Sequence, residues 1–311
     1  MATKIIFMNE MNKDLVKKIQ KLKEKKNALI LVHNYQNPEI QEIADFLGDS
    51  LELAKKAAKN DADILIFCGV MFMAETAKIL SPDKTVLIPR KDAGCPMADM
   101  IDVDQLLELK SKHPNAAVVT YVNSNAEVKA ESDVCCTSAN AIKVVQNIDF
   151  DQILFVPDKN LGAFCQRFTS KDIILWPGYC YVHDKITAKD VLQSKAKLPN
   201  AKIVVHPECR GEVIDLADEA LSTSQMLDYA KKSDAKEFII GTEEGMIYKL
   251  KQENPDKKFY SAGSVKTCFN MKKIELIDVY DSLLNNNYEL RLDKDIISKS
   301  KTALEAMLRY I

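Results

Sequence analysis

This chain carries one segment three times, first as His33-Asn-Tyr-Gln-Asn-Pro-Glu-Ile40. The other copies are Tyr121-Val-Asn-Ser-Asn-Ala-Glu-Val128 and His206-Pro-Glu-Cys-Arg-Gly-Glu-Val213, and the segments begin 88 and 85 residues apart. Each copy follows a short apolar, β-prone run and precedes an amphipathic helical pattern. A fixed period of this kind indicates a chain that is built from copies of one supersecondary unit.

A second β-prone run follows each copy in the same register. These runs are Ile64–Phe67, Ile153–Val156 and Phe238–Gly241, and a third apolar run comes after each of them. Short strands that alternate with helical patterns of about 10–15 residues are typical of parallel α/β units. We therefore predict an α/β fold of three pseudo-symmetric three-layer α/β domains around a central cavity, each with a short parallel sheet of three strands.

The repeat also predicts where the domains begin and end. The first domain is expected to combine residues 1–102 with residues 273–311. It includes an N-terminal helix from about Asn12 and a C-terminal helix from about Asp293 that packs back on this domain. The second and third domains are expected to span residues 103–186 and 187–272.

The composition excludes several classes of protein. The 311 residues are 47% hydrophobic and 28% charged, as in a globular and not a disordered protein. A net charge of −2 offers no basic surplus for nucleic-acid phosphates, so no nucleic-acid partner is expected. No window reaches the roughly 18 apolar residues of a membrane helix, and Met1–Met11 lacks a signal-peptide pattern. We therefore predict a cytoplasmic protein without a membrane partner.

Three of the eight cysteines recur with the repeat. Cys95, Cys180 and Cys268 each follow a third apolar run, whereas no other cysteine has a counterpart. In the cytoplasm, thiols are used for metal binding, catalysis or core packing more often than for disulfides. Three thiolates are too few for a structural zinc site, but they suit an iron–sulfur cluster that keeps one iron open. Three unlinked buried thiols are the alternative interpretation.

Polar side chains recur in pairs at the predicted strand ends. Members of a pair are two residues apart and so point to the same side of the sheet. The pairs are His33 with Tyr35, Tyr121 with Asn123, and His206 with Glu208, and His183 lies three residues after Cys180. Ligands of parallel sheets bind at this edge, and His, Tyr and Glu are proton-transfer residues. A structural role is the alternative for any single one of them.

Hydroxyl side chains stand where the next helices are predicted to begin. They are Ser50, Ser138, Ser222 and Thr223. Such a hydroxyl either caps its helix or lies beside free N–H groups that bind phosphate or carboxylate. The sequence has no phosphate-binding loop and no dinucleotide fingerprint, so nucleotide binding is unsupported.

Taken in order, these motifs resemble those of the quinolinate synthase family over about residues 28–275. The resemblance is carried by the first copy of the repeated segment and by Gly48-Asp-Ser-Leu-Glu-Leu-Ala54, Ala93-Gly-Cys-Pro-Met-Ala98, Trp176-Pro-Gly-Tyr-Cys180, His206-Pro-Glu-Cys209 and Gly241-Thr-Glu-Glu-Gly245. It implies an enzyme of de novo NAD biosynthesis that condenses iminoaspartate with dihydroxyacetone phosphate to give quinolinate, phosphate and water. It also implies a transient handover of iminoaspartate from L-aspartate oxidase.

The resemblance further implies a cofactor and roles for the recurrent residues. A 4Fe–4S cluster would be held by Cys95, Cys180 and Cys268, and its open iron would act as a Lewis acid in dehydration. Proton transfers would fall to Tyr35, His33, His206 and Glu208. The substrates would be bound by His33, Ser50, Tyr121, Asn123, Ser138, His183, His206, Glu208, Ser222 and Thr223. Another 4Fe–4S dehydratase of a small anionic hydroxy or imino acid is the alternative enzyme, and a phosphometabolite sensor is the non-enzymatic alternative.

Overall fold

Strands and helices alternate along the chain in the computed structural model, which describes residues 2–310. The strands are β1 (Ala28–His33), β2 (Phe46–Gly48), β3 (Ile64–Cys68), β4 (Thr85–Leu87), β5 (Ala117–Tyr121), β6 (Val134–Cys136), β7 (Gln152–Val156), β8 (Asp172–Leu175), β9 (Lys202–Val205), β10 (Glu219–Ala220), β11 (Glu237–Gly241) and β12 (Lys258–Ser261). The helices are α1 (Ala2–Lys25), α2 (Pro38–Gln41), α3 (Ser50–Ala58), α4 (Met71–Leu80), α5 (Val103–Lys112), α6 (Ala126–Ala130), α7 (Ala141–Asn147), α8 (Lys159–Gln166), α9 (Tyr181–Asp184), α10 (Ala188–Lys197), α11 (Gly211–Ile214), α12 (Thr223–Lys232), α13 (Gly245–Glu253), α14 (Leu276–Asn285) and α15 (Lys294–Met307).

The strands form three sheets with the same order. The first sheet is β2-β1-β3-β4, the second is β6-β5-β7-β8 and the third is β10-β9-β11-β12. Every neighbouring pair is parallel, so the predicted α/β fold with three repeated parallel sheets is confirmed. Each sheet has four strands where three were predicted. The extra strands, β2, β6 and β10, lie at sheet edges and are only two or three residues long, which is too short to leave a recognisable apolar run.

The chain divides into two compact units. The first unit comprises Met1–Gly94 and Phe269–Leu292, and the second comprises Cys95–Cys268 and Asp293–Ile311. The first unit therefore holds the first sheet, and the second unit holds the second and third sheets. Among the described residues, no helix combines the length and the apolar character that crossing a membrane requires.

In the first unit, two helices from opposite ends of the sequence pack on each other beside the first sheet. Contacts join α1 to α14, and both helices contact the sheet. Ile19 of α1 and Val279 of α14 share a buried apolar core with Ile30 and Ile66 of the central strands. The N-terminal helix begins at Ala2 and not near Asn12, because no Gly or Pro interrupts the helix between those residues.

In the second unit, the C-terminal helix packs on the second sheet. Contacts join α15 to α6 and β6, and the Ser300 hydroxyl donates a hydrogen bond to the carbonyl oxygen of Ala126 at 2.9 Å. The side-chain amide of Asn140 donates to the carbonyl oxygen of Met307 at 3.3 Å. The prediction that this helix packs on the first domain is therefore wrong. Its amphipathic pattern reveals an apolar face but does not reveal which surface that face covers.

Candidate functional site

The carboxyl ends of the second and third sheets carry four of the predicted site residues. Tyr121 is the last residue of β5, and His206 follows β9 directly. The turn after β9 is closed by the N–H of Glu208, which donates to His206 Nδ1 at 3.3 Å. His183 lies on α9, which begins directly after Cys180. All four side chains are buried, and none is more than 5% exposed.

The Glu208 carboxylate is the centre of a buried hydrogen-bond network. Its Oε1 accepts a hydrogen bond from the Tyr121 hydroxyl, and its Oε2 lies 2.7 Å from Nδ1 of His183. The other ring nitrogen of His183, Nε2, lies 2.8 Å from the Thr242 hydroxyl. The His206 ring stacks on the His183 ring with centroids 4.4 Å apart and planes inclined by 18°. The network thus links side chains from the second and third sheets.

The surroundings of Glu208 favour its ionised form. Burial raises the pKa of Glu208, but the charges of His183 and His206 and the hydrogen bonds from His183 and Tyr121 outweigh it and lower the pKa to about 2. An ionised carboxylate only accepts hydrogen bonds. Nδ1 of His183 therefore carries the proton that points to Glu208, while Nε2 faces the hydroxyl of Thr242.

The three recurrent cysteines all belong to the second unit. Cys95, Cys180 and Cys268 are partly exposed, whereas the other five cysteines are buried. Burial raises the pKa of the Cys95 thiol to about 12, and Cys268 contributes to that rise. The pKa of Cys180 is also raised, by burial first, then by Glu208, and in part by Cys95 and Cys268. The three thiols are therefore close enough to interact electrostatically, and a set of three thiolates is a donor set that suits an iron–sulfur cluster.

Cys180, His183 and Glu208 also form a possible set of ligands for a single metal ion. Their ligand atoms all lie within 4.8 Å of one another. A zinc ion would need nitrogen and oxygen ligands at about 2.0–2.2 Å, and so would have to replace the hydrogen bond between His183 and Glu208. The three thiolates are therefore a better candidate ligand set for a metal cofactor than Cys180, His183 and Glu208.

On the second sheet, Asn123 and Ser138 lie in the loops beyond the strand ends. Asn123 Oδ1 is buried and has no hydrogen-bond donor within the described part of the chain, and such an acceptor costs about 1–3 kcal/mol unless a ligand satisfies it. Ser138 is partly exposed in a turn, because α7 begins at Ala141 and not at Ser138 as expected. The turn forms because Asn140 Oδ1 accepts hydrogen bonds from the N–H and the hydroxyl of Thr137, at 2.8 and 3.1 Å.

On the third sheet, Ser222 caps the helix that Thr223 begins. The Ser222 hydroxyl accepts a hydrogen bond from the N–H of Gln225 at 3.4 Å, and the Gln225 side chain accepts one from the N–H of Ser222 at 2.9 Å. This reciprocal pair is a capping box. Ser222 therefore has the structural role that the sequence left open. Both Ser222 and Thr223 are buried.

The first unit presents a corresponding strand end. Nδ1 of His33 accepts a hydrogen bond from the N–H of Tyr35 at 3.1 Å, and the two rings meet edge to face with centroids 4.7 Å apart. Asp49, and not Ser50, caps α3, because its carboxylate accepts hydrogen bonds from two N–H groups of the first turn. Ser50 is the first residue of the helix and is partly exposed.

The buried polar residues of the second unit that the sequence analysis did not single out include Thr242, Asp158 and Glu243. Each lies just after the second β-prone run of its repeat, which is another strand end of a parallel sheet. That position was a usable signal, because ligands of parallel sheets bind beyond the ends of these strands as well.

Comparisons with known proteins agree with the motifs. Residues 17–309 match the family model described as Quinolinate synthetase A protein. The quinolinate synthase of Alkaliphilus metalliredigens is 53% identical over 97% of this chain and 99% of its own length. Those of Dehalococcoides mccartyi (strain CBDB1) and Methanoregula boonei are 56% and 52% identical, each over 94% of this chain and 97% of their own length. A solved reductase structure from Plasmodium falciparum has a TM-score of 0.35 and 14% identity over 88% of this chain and 93% of its own, which is too distant to support an inference.

Proposed function

Because the chain belongs to the quinolinate synthetase A family, we propose that it condenses iminoaspartate with dihydroxyacetone phosphate to give quinolinate, phosphate and water. The observation that carries this proposal is the buried network around Glu208, which lies beside Cys180. It combines a carboxylate, a phenol and an imidazole, and a condensation with loss of water needs groups that move protons. A cytoplasmic location, the central cavity and delivery of iminoaspartate by L-aspartate oxidase stay predictions.

We assign a 4Fe–4S cluster to Cys95, Cys180 and Cys268 as the cofactor. Support comes from their partial exposure and from their mutual electrostatic influence. When bound, such a cluster supplies an iron with an open position that acts as a Lewis acid toward a substrate oxygen or nitrogen. The chain contributes the thiolates and keeps the surrounding acid–base groups in place.

The proton transfers are assigned to the side chains around Glu208. Its carboxylate is ionised and accepts hydrogen bonds from Tyr121 and His183, so each oxygen is in contact with a group that can pass a proton to it. The Tyr121 hydroxyl and the Nδ1–H of His183 are the adjacent proton donors, and either can give a proton back to the reacting molecule. His206 stacks on the His183 ring and keeps its orientation. One well-placed acid or base is worth a factor of about 10²–10⁴ in rate.

Substrate binding is assigned to polar groups near the carboxyl ends of the strands. Asn123 Oδ1 is a buried acceptor that suits an N–H or O–H of a substrate. The first turn of α12, which begins at Thr223, places the positive end of the helix dipole where it favours a carboxylate or phosphate, and Ser138 precedes α7 at the second sheet. We assign His33, Tyr35 and Ser50 of the first unit to the same reaction.

Iron analysis combined with a product assay tests the proposed function. We expect anaerobically reconstituted protein to hold about four irons per chain and to form quinolinate from dihydroxyacetone phosphate and iminoaspartate. Replacing any one of Cys95, Cys180 and Cys268 by Ala should remove both properties. Cys209→Ala is the matched control, because this buried thiol lies next to Glu208 in sequence and contacts the carbonyl oxygen of Gly241 at 3.5 Å.

The outcomes separate the parts of the proposal. Iron uptake without quinolinate formation would contradict the proposed reaction and favour another 4Fe–4S dehydratase. Full iron content in one of the three cysteine variants would remove that residue from the ligand set. Quinolinate formation by iron-free protein would overturn the proposed role of the cofactor.

A further inference from the structure

We propose that Asp158 and Glu243 are positioning residues that anchor the loops of Cys180 and Cys268 before a cluster binds. The purpose of this anchoring rests on the proposed function, whereas the hydrogen bonds that produce it belong to the folded chain itself. Both carboxylates are fully buried, and neither has a part in the proton transfers assigned to the side chains around Glu208.

Asp158 joins the end of β7 to the loop that carries Cys180. One carboxylate oxygen, Oδ1, accepts the N–H of Leu161 at 2.7 Å and so caps α8. The other, Oδ2, accepts the N–H of Cys180 at 3.1 Å. A backbone hydrogen bond of 2.8 Å from the N–H of Lys159 to the carbonyl oxygen of Gly178 holds the same two segments together. Asp158 thus fixes the backbone at Cys180 through the N–H of that residue and not through its sulfur.

Glu243 makes the equivalent connection in the third sheet. Its Oε2 accepts the N–H of Gly245, the first residue of α13, at 2.6 Å. Its Oε1 accepts the N–H of Cys268 at 3.1 Å. A backbone hydrogen bond of 3.0 Å from the N–H of Glu244 to the carbonyl oxygen of Lys266 supports this loop as well.

The two anchors are alike in function although they differ in sequence. One is an aspartate and the other is a glutamate, and the 85 residues between them equal the spacing between the second and third copies of the repeated segment. In both, one oxygen holds the start of the following helix and the other holds a cysteine N–H. The corresponding position of the first repeat is Val70, which has no carboxylate to make these two hydrogen bonds.

Because Asp158 and Glu243 are buried, the loss of these hydrogen bonds would be costly. A buried carboxylate is tolerated only when its oxygens are paired, and here both oxygens of each residue accept backbone N–H groups. A bond to the backbone N–H leaves the thiol sulfur available for a metal. Residues that orient metal ligands in this way typically change metal affinity by about 10- to 100-fold when they are replaced.

Amide hydrogen exchange of the cluster-free wild-type protein is the first test. We expect the N–H groups of Cys180 and Cys268 to be protected, and we expect Asp158→Asn and Glu243→Gln each to raise the exchange rate of the corresponding N–H by at least about tenfold. The matched control is Asp133→Asn, since Asp133 Oδ2 accepts the N–H of Val118 at 2.7 Å in the same unit but holds no cysteine loop. Unprotected N–H groups at both cysteines of the wild type would overturn the proposal without any variant.

Iron loss to a chelator is the second test, on anaerobically reconstituted protein. Asp158→Asn and Glu243→Gln should lose iron about 10- to 100-fold faster than the wild type, whereas Asp133→Asn should match the wild type. Wild-type rates in both anchor variants would overturn the proposal. The two proposals fail separately, because absence of iron uptake by the wild type contradicts the cofactor, whereas rapid exchange at Cys180 and Cys268 contradicts the anchors.

Discussion

The carboxyl ends of β1 and β9 share one backbone arrangement but carry different side chains. In each, a histidine Nδ1 accepts the N–H of the residue two positions later, at 3.1 Å for His33 and 3.3 Å for His206. That later residue is Tyr35 in the first unit, where it contacts the His33 ring edge to face, and Glu208 in the second, where it joins Tyr121 and His183. The repeat therefore sets the backbone, and the side chain at one position determines the chemistry of each strand end.

The largest expected effect comes from removing the charge at this position in the second unit. Glu208→Gln keeps the size of the side chain but cannot accept a proton, so we expect kcat for quinolinate formation to fall by about 10²–10⁴ with iron content unchanged. Tyr35→Phe is the corresponding variant of the first unit, and we expect a fall within the same range. Steady-state kinetics beside iron analysis measures both. A fall in only one of them would assign the proton transfers to that strand end alone.

Sequence could place these residues but not their partners. The repeat register put Tyr121, His206 and Glu208 at strand ends, because strand position follows from local apolar patterning. It could not show that His183 bridges Glu208 and Thr242, since that contact depends on how α9 packs against the end of β11. The same limit explains the wrong partner predicted for the C-terminal helix, because the apolar face of a helix does not identify the surface that it covers.

Three aspartates recur at the spacing of the repeated segments, and the sequence analysis did not predict their structural role. Asp45, Asp133 and Asp218 are 88 and 85 residues apart, like the repeated segments. Each accepts the N–H of a residue in the first strand of its sheet, at 2.7–2.8 Å. A single aspartate before a strand of two or three residues has the pattern of a surface residue. Only the recurrence of the aspartate could have indicated that it accepts a backbone N–H of the neighbouring strand.

A smaller effect is expected from the helix starts, where the two units again differ. Ser222→Ala should lower the free energy of unfolding by about 1 kcal/mol, because Ser222 caps α12. Ser50→Ala should change it by less than about 0.5 kcal/mol, because Asp49 caps α3. Denaturant unfolding of the cluster-free proteins measures both, and Asp49→Ala is the control, with an expected loss of about 1 kcal/mol. Equal losses for the two serine variants would contradict the assigned caps.

The smallest expected effect concerns an ion pair that ties α9 to the loop after β9. Arg210 donates two hydrogen bonds to Asp184, at 2.7 and 3.0 Å, and thereby lowers the pKa of Asp184 below its ordinary value of 3.8. A lowered carboxyl pKa adds stability that is complete above the ordinary pKa and is lost as the pH falls through the folded-state pKa. At pH 7, Asp184→Asn should cost about 0.2–1 kcal/mol.

Thermal unfolding at pH 7 and near pH 3 tests this sign. The difference in Tm between the wild type and Asp184→Asn should shrink in acid. The control in the first unit is Asp92→Asn, since Arg90 and Lys273 lower the pKa of Asp92 to about 2. The Asp92 side chain is 55% exposed and that of Asp184 only 16%, so we expect a smaller change in Tm. A difference at Asp184 that grows in acid would contradict the assigned pKa direction.

The position of α15 determines when an apolar surface of the second sheet is covered during translation. The surface of α6 that α15 covers is synthesised early, and 174 residues separate Ala126 from its hydrogen-bond partner Ser300. During translation, the third sheet and the loop of Cys268 leave the ribosome before that cover arrives. Part of the apolar surface of the second sheet is therefore exposed until α15 is synthesised. A chaperone that binds nascent chains would have access to α6 and β6 during that interval.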